Sequence, residues 1–110
     1  MITTHILNTA LGKPAANVAV VLEKRDGSEW RAVGQGKTDS DGRLRSLMAE
    51  NAAAAAGVYR LTFDTGAYFK QLGTPTFHPH VVIEFETTGD AHYHVPLLVS
   101  PYGYTTYRGS

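Results

Sequence analysis

Short runs of β-branched and aromatic residues, each closed by a turn bearing glycine or aspartate, recur along this 110-residue chain and constrain its fold more than any other feature. Ile2 to Leu7 alternates, with Thr3, His5 and Leu7 on one face. Asn17 to Lys24 is rich in β-branched residues (Val18, Val20, Val21), and Trp30 to Thr38 is a weaker segment broken by glycine. Val58 to Phe63 sets Tyr59, Leu61 and Phe63 on one face. Val81 to Glu86 and Tyr93 to Ser100 are strong strand signals, and Thr105 to Arg108 is a short one. Gly12-Lys13-Pro14, Asp26-Gly27, Asp41-Gly42 and Thr88-Gly89-Asp90 supply the turns between them. Strands this short, interrupted this regularly, predict an all-β sandwich of two antiparallel sheets.

Two segments depart from that pattern. Asp64 to Leu72 has an N-cap residue at Asp64 or Thr65 and a stop at Gly73, so it reads as one short helix. Met48 to Ala56 contains five consecutive alanines, which favour helix and are poor in strands. It reads as a short helix or a surface loop. No repeat or linker divides the chain, and residues 1–110 are expected to form a single domain.

Composition excludes several function classes. Ten basic and ten acidic residues cancel, so nothing favours a nucleic-acid partner, whose binders carry a basic patch. The absence of cysteine removes a disulfide framework, a thiolate nucleophile and a cysteine-based zinc site. No apolar run approaches the roughly 18 residues needed to span a bilayer, so no membrane partner is expected. Met1 leads directly into the first strand without a charged or apolar leader. The expected location is the cytoplasm, or the periplasm if an export signal has been removed.

The chain end is unusually rich in chemistry. His92 and His94 flank Tyr93 and share one strand face with Pro96 and Leu98, while Tyr93, Val95, Leu97 and Val99 line the other face and point to the core. Three tyrosines and Arg108 follow, where termini are ordinarily polar and frayed. A His-x-His pair can bind zinc, with His5 as a third ligand. No carboxylate near these rings in sequence would orient them, and proton transfer suits an imidazole better here. Asp39-Ser40-Asp41-Gly42 resembles part of a calcium loop but lacks the later ligands, so it reads as a tight turn leading to Arg43. His78-Pro79-His80 reads as an exposed loop, and His92 has no assigned role.

Several blocks resemble one family. Tyr107-Arg108-Gly109-Ser110 matches the carboxyl-terminal tetrapeptide of the 5-hydroxyisourate hydrolases, the transthyretin-related enzymes of purine breakdown. His94 to Leu98, Thr4 to Asn8 with Gly12 to Ala15, and Thr38 to Leu44 match further blocks in family order. The resemblance implies a transthyretin-like sandwich with one short helix. It also implies a homotetramer, a dimer of dimers, whose sites lie in clefts between dimers. The implied reaction is hydrolysis of a small-molecule substrate, 5-hydroxyisourate, to 2-oxo-4-hydroxy-4-carboxy-5-ureidoimidazoline, with no cofactor and no metal. The residues implied in catalysis are His5, Arg43, His94 and Ser110. Those implied in substrate binding are His5, Arg43, Tyr107, Arg108 and Gly109. His5 and His94 would share acid and base roles, Arg43 would grip the ring as a planar fork, Tyr107 would close the pocket, and Ser110 would bring in the terminal carboxylate. Two other readings stay open: a carrier of the transthyretin type without catalysis, and a metal-dependent hydrolase built on His5, His92 and His94.

Overall fold

A computed structural model describes residues 1–49, 53–89 and 92–110. Two sheets pack face to face. The first contains β1 (Ile2–Asn8), β2 (Lys13–Pro14), β5 (Arg43–Leu44), β8 (Tyr93–Ser100) and β9 (Gly103–Thr106). Its order is β2-β1-β8-β9, with β5 pairing on β1. The second runs β4-β3-β6-β7, built from β3 (Ala19–Asp26), β4 (Glu29–Lys37), β6 (Gly57–Phe63) and β7 (Val81–Thr87). The second sheet is antiparallel throughout. The first contains one parallel pair, β1 with β8, which joins the beginning of the chain to its end.

Alternation explains the core. Ile2 and Ile6 of β1, Val95, Leu97 and Val99 of β8, Val20 and Leu22 of β3, and Tyr59, Leu61 and Phe63 of β6 all point between the sheets and are buried. One short helix, α1 (Thr65–Gln71), closes one end by burying Phe69. Asp64 caps it, its carboxylate accepting from the Ala67 N–H, and Gly73 ends it with φ near +68°. Among the described residues no helix is long and apolar enough to cross a membrane.

Some segment boundaries differ from expectation. The Asn17–Lys24 segment becomes strand only from Ala19, because Asn17 takes a positive φ of 61° and its N–H bonds to the Thr38 carbonyl. The last strand covers Gly103–Thr106 rather than Thr105 to Arg108. A tight hairpin pairs Ser100 with Gly103, which starts the ladder early and releases Tyr107 and Arg108 from it. Ala53 to Ala56 is not helical; residues 50–52 of that alanine-rich segment and Asp90 of the predicted turn lie outside the described residues. The segment instead serves the sheet, with the Ala55 carbonyl accepting from the Tyr59 and Thr87 hydroxyls. The two-residue strands β2 and β5 are too short for any periodicity to reveal.

Candidate active site

The outer face of the first sheet gathers the polar groups. Registered neighbours in a ladder point to the same face. Thr3 is paired with His94 and His5 with Pro96 across the parallel ladder. His5 is also paired with Arg43 across the antiparallel one. Four polar side chains, Thr3, His5, Arg43 and His94, from three distant parts of the chain are thereby brought to one surface.

Arg43 owes its place to the turn before it. The Asp39 carboxylate accepts from the backbone N–H groups of Asp41 and Arg43 at 2.9 and 3.0 Å. The Arg43 N–H is the largest influence holding the Asp39 carboxyl below its usual range; desolvation opposes it, and the Asp41 N–H adds a smaller lowering effect. Gly42 takes φ +74° and lies directly on β1, its carbonyl accepting from the Ile6 N–H at 2.8 Å. A side chain at Gly42 would strike the Ile6 carbonyl oxygen. The calcium-like sequence is therefore a tight turn docked on β1. Among the described residues no ion pair holds the Arg43 guanidinium, which leaves its fork available to a ligand.

The rings of His5 and His94 lie 6.4 Å apart between centroids, tilted by 32°. Among the described residues no direct hydrogen bond joins them, and the separation admits a water molecule or a substrate atom. Both imidazoles are held below the ordinary value of 6.5. Burial is the main cause for each; Arg43 acts next on His5, and His5 and then Arg43 on His94. Both are thus biased to the neutral form, the state required of a general base. The Oγ1 of Thr3 lies 2.8 Å from His94 Nδ1 and 3.3 Å from His92 Nε2. Sequence reasoning gave Thr3 no role and considered His92 only as a ligand in the metal reading. The available signal was that Thr3 shares a strand face with His5, but its partner on β8 follows only from the register.

The chain end folds back over this surface. Gly109 bridges to His94, its N–H donating to the His94 carbonyl at 2.8 Å. A Cβ on Gly109 would lie 2.6 Å from the Cδ2 of the His94 ring. Glycine is thus required by close approach to the imidazole. Ser110 lines the same cavities as Arg43 and His94. A cavity of about 340 Å³ is lined by His5, Arg43, His94, Tyr107, Gly109 and Ser110, with Leu7, Pro96 and Leu98 as its apolar wall. Arg108 lies elsewhere: its guanidinium sits 4.7 Å from the Tyr93 ring centroid, in an apolar groove shared with Ile83 and Phe85. Tyr107, 57 % exposed, borders both the cavity and that groove. His78 packs between Phe77 and Tyr104, in the loop expected for it, and lines none of the cavities that His94 borders.

As to metals, among the described residues no three His, Cys, Asp or Glu side chains are grouped to hold an ion. His94 Nδ1 and His92 Nε2 both lie within hydrogen-bonding distance of the Thr3 hydroxyl.

Residues 2–109 match the family described as HIUase/Transthyretin. The chain is 50 % identical to the 5-hydroxyisourate hydrolase of Caulobacter vibrioides, over 99 % of this chain and 97 % of that protein. It is 48 % identical to the enzyme of the same name from Salmonella typhimurium, over all of this chain and 81 % of that one. The solved structure of Klebsiella pneumoniae 5-hydroxyisourate hydrolase superposes with a TM-score of 0.87 at 36 % identity, covering 99 % of this chain and 98 % of that one. Sea bream transthyretin in complex with thyroxine superposes with a TM-score of 0.91 at 33 % identity, covering 98 % and 93 %. With a shared sandwich, a match along nearly its whole length and close relatives of one name, this chain belongs to the HIUase/transthyretin family.

Proposed function

We propose that this protein is a 5-hydroxyisourate hydrolase of urate degradation, acting as a single domain over residues 1–110. The observation that carries the reading is the convergence of His5, Arg43, His94 and Ser110 on one cavity with Tyr107 at its edge. The relatives at 48–50 % identity carry that activity in their names.

The chemistry follows from the placement. His94, aided by His5, takes a proton from water as the oxygen attacks a ring carbonyl. Arg43 holds the flat ring through parallel hydrogen bonds and stabilises the negative charge that develops on the carbonyl oxygen. The ring C–N bond breaks, the proton passes to the departing nitrogen, and the product keeps every substrate atom plus those of one water. That product is 2-oxo-4-hydroxy-4-carboxy-5-ureidoimidazoline. Tyr107 closes the cavity and Ser110 orders water or substrate. Arg108, on the groove beside Tyr93, anchors the tail that carries them.

The assembly proposed is a homotetramer, a dimer of dimers, with each cavity completed across an interface. Leu7 and Leu98 stay partly exposed beside the catalytic groups, an apolar surface that a symmetric partner would cover. Strands β7 and β9 also end their sheets, and their open edges offer further pairing surfaces.

A carrier would share the sandwich, as the likeness to thyroxine-bound sea bream transthyretin makes plain. The imidazole pair beside an arginine that no ion pair holds among the described residues favours chemistry over carriage. The test is the decay of freshly prepared 5-hydroxyisourate with and without the protein. The wild type should accelerate it, and His94→Ala or Arg43→Ala should each reduce turnover by about a hundredfold, the loss typical of an acid–base or oxyanion partner. His78→Ala should match the wild type. A wild type that leaves the decay unchanged while binding thyroxine would favour the carrier.

A further inference from the structure

We propose that Thr3 is a positioning residue that couples His92 to His94 and decides which imidazole nitrogen of His94 carries the proton, an inference that rests on the hydrolase reading. Thr3 is buried, and its Oγ1 stands within hydrogen-bonding distance of His94 Nδ1 at 2.8 Å and His92 Nε2 at 3.3 Å. A hydroxyl has one proton, so it can donate to only one of the two rings and must accept from the other. Two directed arrangements satisfy both contacts. In the first, His94 Nδ1–H donates to Thr3 and Thr3 donates to His92 Nε2. The Nε2 of His94 then keeps a lone pair and can act as a base. In the second the direction is reversed, and His94 Nε2 carries the proton and can only donate.

His92 chooses between them. A protonated His92 has N–H groups at both nitrogens and can only donate to Thr3, which imposes the second arrangement. A neutral His92 permits the first. The geometry is held from both sides of the strand: Thr3 is in register with His94, and the neighbouring Thr4 hydroxyl donates to the Val95 carbonyl at 2.6 Å on the core side. The charged and titratable groups around His94 are the Met1 amino terminus, His5 from β1, Arg43 from β5, Arg45 beyond it, His92 before β8, Glu84 and Glu86 from β7, and Tyr107, Arg108 and Ser110 from the tail.

The experiment combines kinetics with ¹⁵N NMR of the imidazoles in substrate-free protein. In the wild type His94 should be the Nδ1–H tautomer at alkaline pH and should shift toward Nε2–H as His92 protonates. Thr3→Val should lower kcat by about tenfold, the order of one lost hydrogen bond, with KM little changed. Its His94 should become a tautomer mixture, and Thr3→Ser should restore both readouts. His92→Ala should remove one protonation from the acid limb of kcat. A Thr3→Val protein with wild-type kcat and an unaltered His94 tautomer would overturn the proposal. If that variant does not fold, His92→Ala decides alone, and His94 signals identical to wild type at every pH would overturn it. A wild type inactive on 5-hydroxyisourate would refute the hydrolase reading, while the NMR arm would still settle the coupling.

Discussion

His5 and His94 carry the strongest constraint at the scale of single residues. Each imidazole is held below 6.5, so its folded form binds fewer protons than its unfolded form between the lowered value and 6.5. Two consequences follow with definite sign. The neutral base persists into mildly acidic solution, so the acid limb of kcat/KM should have its midpoint below pH 6.5. Stability should fall as pH drops through that same window, because protonation is then linked to unfolding. A pH–rate profile and urea melts across the window check both; a midpoint at or above 6.5 would show that burial and the neighbouring cations do not act on these rings as described. The partners of these residues are less legible in sequence. Alternation set Thr3 and His5 on one face, and the family resemblance paired His5 with His94. The Thr3 hydroxyl between two imidazoles depends on contacts 89 and 91 positions apart.

At the scale of elements, the turn before Arg43 and the tail after β9 do the positioning. Asp39 to Gly42 was readable as a turn because aspartate and glycine have turn chemistry of their own. That the turn lies on β1 was not readable. Gly42→Ala would force a side chain into a left-handed conformation at a cost of about 1–2 kcal/mol, before any clash with Ile6 is counted. It should therefore lower the melting temperature and weaken activity together, by misplacing Arg43. The tail gives a contrasting case. Gly109→Ala should leave the melting temperature nearly unchanged, because the tail lies outside the core, yet should cut kcat by pressing a methyl group against the His94 ring. Deleting Tyr107 to Ser110 should abolish hydrolysis in a protein that remains folded, since Tyr93, Val95, Leu97 and Val99 still fill the core. Calorimetry beside a turnover assay separates the two glycines, and a truncated protein with wild-type turnover would remove the tail from the site.

For the whole molecule, the apolar residues around the cavity predict association. Light scattering at micromolar concentration should give a tetramer of 11.9 kDa chains, about 48 kDa, and a stable monomer would refute the shared-cleft assembly. What the sequence by itself determined was local: which side chains face in, where the chain turns, that α1 is short and that two sheets must cover one another. Period-two alternation, capping and turn chemistry act over a few residues and need no distant partner. The tertiary structure decided what depends on register between remote segments. It paired β1 with β8 in parallel, laid β5 on β1 and returned Gly109 to His94, so that Thr3, His5, Arg43, His94 and Ser110 meet. Slipping any of these ladders by one residue would turn its side chains to the opposite face, and only burial of the shared core selects the register that assembles the site.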